Sequence, residues 1–234
     1  MGQGNGGESE RQHARITSQT YASHISEDGL RVELVATHLH EVSSLTGEFA
    51  SSFNARKLGE YVGEAHDIGK YSIEFQNRIL HQGPKVDHAT AGAFELFRRG
   101  SWCGAYCVMG HHGGLPNGGT DCDLGGSYFG RLGNARRKTI PDYSAYSREV
   151  TLGEPPAPPI RPLAGCDNGE IKFSAAFFTR MLFSCLVDAD YLCTERFVVG
   201  EARAGIGSSS IDELQIRFED HIHLFFPPRG ELNK

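Results

Sequence analysis

The chain of 234 residues carries a formal net charge of −6, and this length suffices for a single domain with one sizeable hydrophobic core. The acidic balance argues against a protein that holds nucleic acid mainly through a broad basic face. It does not exclude a nuclease, because a divalent metal brings its own positive charge to a site. The sequence has no membrane-length apolar run and no signal peptide, so we expect a cytoplasmic protein without membrane contact.

The first third of the chain predicts a tail followed by helices. Residues 1–13 are rich in Gly, Glu and Ser without an apolar period, which is typical of a disordered tail. Apolar residues recur at spacings of three and four over 32–53, which predicts an amphipathic helix. Further helices are predicted at 58–65 and 73–80, separated by the segment His-Asp-Ile-Gly-Lys at 66–70.

The rest of the chain is also helical in pattern. Helices are predicted at 88–98, 102–109, 129–137, 173–197 (a long apolar core helix) and 211–226, with loops at 113–126 and 141–169. We find no repeat and no alternating strand pattern of any length, so the predicted class is all-α. Residues 14–226 are expected to form the domain, and 227–234 a C-terminal tail or the start of a linker.

The six cysteines include no Cys-x-x-Cys pair. Cys103 and Cys107 are four residues apart and therefore share a helix face. We interpret them as buried thiols, with a ligand pair as the alternative.

The most informative residues are polar side chains at positions where the apolar pattern predicts the core. These residues are His38, His66, Asp67, His88, His111, His112 and Asp188. A buried imidazole or carboxylate is costly unless it is paired or binds a metal. Each residue alone has an ordinary explanation, such as a satisfied core histidine or a solvated loop position. Together they predict a shared metal site.

The mixture of imidazole and carboxylate favours Mn, Ni, Co, Fe or Zn, with Mg as a further candidate. So many ligands exceed the needs of one tetrahedral ion, so we expect one or two ions, and in a two-ion site Asp67 would be the bridging carboxylate. Such a pair of ions activates a water and stabilises the attacking and the leaving oxygen when a phosphoryl group is displaced. Lys70 is predicted to stabilise charge on the phosphate oxygens, with a surface lysine as the alternative. Asp67 and Lys70 are therefore the predicted catalytic residues.

In their order and spacing these motifs resemble the HD nuclease domain of the CRISPR type I interference helicase–nuclease. The residues that carry the resemblance are His38, His66-Asp67-Ile68-Gly69-Lys70, Val86-Asp87-His88-Ala89-Thr90-Ala91-Gly92, Gly110-His111-His112-Gly113-Gly114-Leu115-Pro116 and Leu186-Val187-Asp188-Ala189-Asp190-Tyr191. The segments 140–144 and 181–185 resemble the version in one compact subtype, which we take to be subtype I-C. The resemblance covers about Tyr21 to Glu195.

The resemblance implies an HD-domain helical bundle with a metal site between core helices. It also implies cleavage of single-stranded DNA in antiviral CRISPR interference, together with a helicase and a crRNA-guided surveillance complex. The metal ligands it implies are His38, His66, Asp67, His88, His111, His112 and Asp188. Asp190 competes for the last place, and we prefer Asp188 because it follows Leu186-Val187 as the motif favours. The family usually continues into a superfamily 2 helicase, whereas this chain stops at Lys234, so we expect a separate subunit or a fragment.

Two other functions are compatible with these motifs. An HD phosphohydrolase acting on dNTPs or cyclic nucleotides would use the same ligands but would lack an open groove with basic or aromatic contacts for a strand. We expect such a basic rim at Arg131, Arg136, Arg137 and Lys138, with a solvated basic face as the alternative. A degenerate HD module that only binds a partner protein would be expected to have lost ligands, and none is missing. The sequence also lacks the P-loop, His-Glu-x-x-His and Gly-x-Ser-x-Gly motifs of other enzyme classes.

Overall fold

Helices make up most of the described residues, as the apolar periodicity predicts. The structure is a computed structural model that describes residues 20–123, 125–160, 168–200 and 210–225. The predicted tails at 1–13 and 227–234 lie outside the described residues. Within the described residues there are eight α-helices and two short strands, and no helix is both long and apolar enough to cross a membrane.

The elements follow one another in this order: β1 (Ala22–Ile25), β2 (Val32–Leu34), α1 (Val35–Ala50), α2 (Arg56–Ala65), α3 (Ile73–His81), α4 (Ala89–Arg98), α5 (Trp102–Gly110), α6 (Tyr128–Arg136), α7 (Asn168–Val199) and α8 (Ile211–His223). Short 3-10 turns occur at Ser51–Phe53, Ile68–Tyr71 and Ser144–Arg148. The chain divides into two compact units, Met1–Val198 and Val199–Lys234, and this division falls inside the span predicted to be one domain.

An antiparallel hairpin precedes the first helix and was not predicted. Strand β1 pairs with β2, with Ala22 opposite Leu34 and Ile25 opposite Val32. The predicted helix at 32–53 was therefore wrong at its start, since α1 begins only at Val35. Strands of four and three residues are too short for an alternating pattern to stand out in the sequence.

Glycines allow the elements that carry the polar core residues to pack closely. A Cβ atom at Gly63 of α2 would lie 2.6 Å from the Cα of Ser43 in α1. A Cβ at Gly92 of α4 would lie 2.0 Å from the Ala65 carbonyl oxygen, and one at Gly69 would lie 2.1 Å from the His88 carbonyl oxygen. Only glycine fits such contacts with backbone atoms. They bring the end of α2 against both α1 and the start of α4.

Helix α7 supplies a further wall of this core. Leu182, Leu186 and Ala189 on one side of the helix are fully buried. Their spacing of three and four residues places them on a single face. In the second unit, α8 begins with a capping box in which Ser210 and Glu213 each accept a hydrogen bond from the other's backbone N–H.

Candidate metal centre

Side chains from five separated segments meet around Asp67. His38 comes from the first turn of α1, and His66 and Asp67 follow the end of α2. The other contributors are His88 at the start of α4, His111 and His112 at the end of α5, and Asp190 in α7. The side chains of His38, His66, Asp67 and His111 are completely buried. The core therefore contains a concentration of polar groups at one point.

One oxygen of Asp67 faces a histidine group. Asp67 Oδ1 lies 3.2 Å from His111 Nε2 and 3.5 Å from His88 Nε2. His112 completes this group, with its Nε2 atom 2.7 Å from His88 Nε2. Asp67, His88, His111 and His112 each present one ligand atom within the mutual distance that a single metal ion allows.

The other oxygen of Asp67 faces a second group. Asp67 Oδ2 lies 3.4 Å from His66 Nε2 and 3.7 Å from His38 Nε2. Asp190 Oδ1 lies 3.2 Å from His38 Nε2 and 3.6 Å from His66 Nε2. His38, His66, Asp67 and Asp190 thus form a second set with metal-ligand spacing. The carboxylate of Asp67 is shared by the two sets, one oxygen to each.

The ligand atoms of this cluster lack ordinary partners. The Nε2 atoms of His38, His66 and His111 and both oxygens of Asp67 are buried, without a hydrogen bond to any residue in the described part of the chain. Lys70 Nζ approaches Asp67 Oδ2 to 2.7 Å, but as an ion pair without hydrogen-bond geometry. Buried polar atoms are almost always satisfied in proteins. So many unsatisfied atoms aimed at one another are what a bound cation would explain.

The opposite ring nitrogens fix the orientation of the histidines. His66 Nδ1 lies 2.7 Å from the Gly63 carbonyl oxygen, and His111 Nδ1 lies 2.7 Å from the Val108 carbonyl oxygen. Since a carbonyl oxygen only accepts, each Nδ1 must carry a proton, so the neutral form of each ring presents its lone pair at Nε2. This is how metal-binding histidines are usually held. The residues present therefore fit a divalent metal centre.

The electrostatics of the cluster also favour bound cations. Burial by itself raises the pKa of the Asp67 carboxyl, but Lys70, His66 and His88 outweigh it and hold this pKa well below its usual range. Burial likewise lowers the pKa of His66, but the Asp67 and Asp190 carboxylates outweigh burial and raise it. Positive charge is thus favoured beside His66, and a metal ion can take the place of a proton there.

Two histidines of the other group, His88 and His112, are held neutral. Burial, followed by the neighbouring His111, lowers the pKa of His112 to about 4. Burial also lowers the pKa of His88, despite the attraction of Asp67. Neutral imidazole is the form that binds metal. Both rings can therefore donate a lone pair at neutral pH.

The structure brings Asp190 to the cluster and not Asp188, which the sequence motif favoured. Asp188 is exposed and belongs to no ligand group, whereas Asp190 contacts both His38 and His66. Asp190 is four residues after Leu186 and one after Ala189, both fully buried. Residues four apart share a helix face, so Asp190 points inward with Leu186, while Asp188 points to solvent.

Lys70 lies beside the cluster, close to where it was expected. Its Nζ atom donates to Ser23 Oγ at 3.0 Å and pairs with Asp67, so the hairpin helps to hold it. It is only 4% exposed and lines a cavity next to the cluster. The alternative of a surface lysine was therefore wrong.

The predicted basic rim has a different role at Arg131. Its guanidinium donates to Thr90 Oγ1 at 2.8 Å, to the Met109 carbonyl oxygen at 2.7 Å and to Asp87 Oδ1 at 2.9 Å. Arg131 is thus engaged in internal bonds that tie α6 to the residues around His88 and His111. Arg136, Arg137 and Lys138 do not line the cavity beside the cluster.

Glu33 and His24 form an outer layer of the site that the sequence patterns did not predict. Glu33 Oε2 lies 3.2 Å from His38 Nδ1 and 2.6 Å from His24 Nδ1. Burial raises the pKa of Glu33, but the hydrogen bond with His24 and the close approach of His38 outweigh this and lower it to about 2. Cys103 and Cys107 are buried free thiols, as interpreted, and belong to none of the ligand groups.

The chain matches no protein-family model, and no curated protein matches it either. The geometry of this cluster and the motifs of the sequence are therefore the basis for assigning a function.

Proposed function

We propose that this chain is a metal-dependent phosphohydrolase of the HD type that hydrolyses phosphodiester bonds in single-stranded DNA. The observation that carries the proposal is the shared carboxylate of Asp67, which presents one oxygen to each of two ligand groups. A carboxylate between two sets of histidines is the arrangement that a two-metal phosphoryl-transfer site needs. The choice of DNA comes from the motif resemblance, as do antiviral CRISPR interference, the helicase and the crRNA-guided surveillance complex.

The ligand residues of this chain would form two metal sites. His38, His66 and Asp190 would hold one divalent ion, and His88, His111 and His112 the other, with Asp67 between them. When bound, such ions supply an activated water and stabilise the oxygens of the phosphoryl group that is displaced.

Lys70 and the outer residues would support this centre. Lys70 is placed to offset negative charge both on Asp67 and on a phosphate in the adjoining cavity. Glu33 would keep His38 in the orientation that presents Nε2.

An HD phosphohydrolase acting on small nucleotides is the second candidate. The cavity beside the cluster measures about 510 Å³, and pockets for small molecules are usually roughly 300–1,000 Å³. Its size alone therefore suits a single nucleotide as well as part of a strand.

The test is to incubate the purified chain with circular single-stranded DNA and, separately, with dNTPs, in Mn²⁺ or Ni²⁺ and in chelator. We expect cleavage of the circle that chelator and Asp67→Ala both abolish. Asp188→Ala is the matched control, because this exposed carboxylate lies on the same helix as Asp190 and should not affect cleavage. Hydrolysis of dNTPs without cleavage of the circular DNA would favour the second candidate. If neither substrate is hydrolysed, the proposal that this chain is a phosphohydrolase is refuted.

A further inference from the structure

A cavity opens beside the metal-ligand cluster, between the hairpin and helix α3. His88 and His112 line it on the side of the cluster, and Ser23 and His24 line it from strand β1. Helix α3 and the residues after it contribute Phe75, Arg78, Ile79, Gln82 and Gly83. Gln82 and Arg78 are exposed, so this side of the cavity meets solvent. The cavity is therefore a route from solvent to the cluster.

The wall of this cavity is built around Phe75. The ring of Phe75 is buried and packs edge-on against His88, with ring centroids 5.0 Å apart. Lys70 Nζ lies 5.7 Å from the centre of the same ring. Arg78 is three residues after Phe75 on α3, so the two side chains lie on neighbouring positions of one helix face. Because Phe75 packs against His88, helix α3 holds Arg78 at a fixed position relative to the cluster.

Arg78 is a cation at this cavity without a counter-charge. Among the described residues no hydrogen bond or ion pair from its guanidinium is found, in contrast to the internal bonds of Arg131. Lys70, the other cation of the lining, is already paired with Asp67. An arginine in this situation is suited to bind a phosphate, because its planar donors match phosphate oxygens.

We propose that the cavity lined by Arg78 is a phosphate subsite, which binds a phosphate of the DNA strand next to the one cleaved at the cluster. This inference rests on the proposed function, since it takes a phosphodiester at the cluster as given. The opening toward Arg78 and Gln82 gives a strand a path to continue past the cluster into solvent. The terminal phosphates of a free nucleotide offer the same chemistry, and the experiment separates the two sources.

The experiment measures binding of a fluorescein-labelled oligothymidine and of dTTP to the full chain in chelator, over a range of salt concentrations. With Arg78→Ala we expect about tenfold weaker binding of the oligonucleotide. The slope of log K against log salt should fall by about 0.7, the value for loss of one phosphate contact on a single strand. Arg78→Lys should retain the slope, because it keeps the charge.

Arg180→Ala is the matched control. Arg180 is an exposed arginine on α7 that donates to the Ala176 carbonyl oxygen of its own helix. It precedes Asp190 by ten residues, ~15 Å along the helix. Its removal should leave both the affinity and the salt slope unchanged.

Hydrolysis in Mn²⁺ provides a second readout. Arg78→Ala should lower kcat/KM for the oligonucleotide about tenfold and leave that for bis(4-nitrophenyl) phosphate, which has a single phosphate, within about twofold. An unchanged salt slope, absence of oligonucleotide binding by the wild type, or a loss confined to dTTP would each overturn the subsite. If the wild type binds with the expected slopes but does not cleave, the proposed function fails while the subsite stands. If the wild type cleaves the oligonucleotide but Arg78→Ala keeps the wild-type slope of log K against log salt, the proposed function stands and the subsite fails.

Discussion

At the scale of single residues, the site depends on carboxylates that face inward from a helix. Asp190 contacts His38 and His66, while Asp188, two residues earlier, faces solvent. The two residues have the same side chain on the same helix. Substituting each of them in turn therefore compares a proposed metal ligand with a control residue outside the cluster.

We expect Asp190→Asn to lower the affinity of the His38 group for Mn²⁺, since an amide is a weaker and uncharged ligand. The loss should be at least tenfold, by comparison with the effects of partners one layer further out. Titration calorimetry of the metal-free protein measures it. Asp188→Asn should titrate like the wild type, and equal effects of the two substitutions would contradict the assignment of Asp190.

Glu33 is the residue that we expect to position His38. Glu33→Gln removes the charged acceptor beside His38 Nδ1, so His38 can adopt the tautomer or orientation that directs Nε2 away from the cluster. We expect a 10–100-fold loss of metal affinity with the fold retained, measured by the same titration. Glu27→Gln, an exposed residue in the turn of the same hairpin, should have no effect. Unaltered affinity in Glu33→Gln would remove Glu33 from the site.

Most of the inner residues could be predicted from the sequence because each stands out as a polar side chain within an apolar pattern. Asp190 could have been found in the same way, since Leu186, four residues earlier on the same helix face, is buried. Glu33 gave no such signal, because the apolar spacing around it was interpreted as part of the first helix. Its role depends on a hairpin pairing that no short pattern reveals.

At the scale of elements, helix α6 holds two ligand segments together through one side chain. Arg131 bonds to Asp87 and Thr90 on either side of His88, and to the carbonyl of Met109 two residues before His111. From the sequence, Arg131 was a candidate for a basic rim that meets DNA, with a solvated basic face as the alternative. The sequence could not show otherwise, since the partners of Arg131 come from other segments.

We expect Arg131→Ala to destabilise the protein by about 2 kcal/mol, because it leaves three acceptors without their charged donor. It should also weaken metal binding by the His88 group more than by the His38 group. Urea denaturation and metal titration measure the two effects. Arg137→Ala is the control on the same stretch of chain, since its guanidinium contacts only Asn134 and the Asp121 carbonyl oxygen among the bonds found, and we expect a change within about 0.5 kcal/mol. If Arg131→Ala lowered the metal affinity of both ligand groups equally, the selective role of Arg131 would be contradicted.

At the scale of the whole molecule, the apolar helices carry a polar centre that ordinary packing does not satisfy. The apolar periodicity was sufficient to predict the helical class and most helices. It could not predict how α1, α2, α4, α5 and α7 meet. That arrangement depends on close contacts such as the one between Gly92 and Ala65.

Because the cluster draws on five segments of the unit Met1–Val198, bound metal should stabilise that whole unit. Mn²⁺ at a free concentration of 100 times its Kd should raise the free energy of unfolding by about 2.7 kcal/mol for each ion bound. Thermal denaturation in Mn²⁺ and in chelator measures the shift in Tm. Asp67→Ala should abolish most of this shift, and an equal shift in wild type and variant would place the metal elsewhere.

The most direct test of a two-metal centre around Asp67 is the anomalous scattering of Mn²⁺ in crystals of the chain. We predict two peaks ~3.5–4 Å apart, one bound by His38, His66 and Asp190 and the other by His88, His111 and His112, with one Asp67 oxygen on each. Anomalous peaks only outside this cluster, with these side chains turned away from one another, would contradict the account.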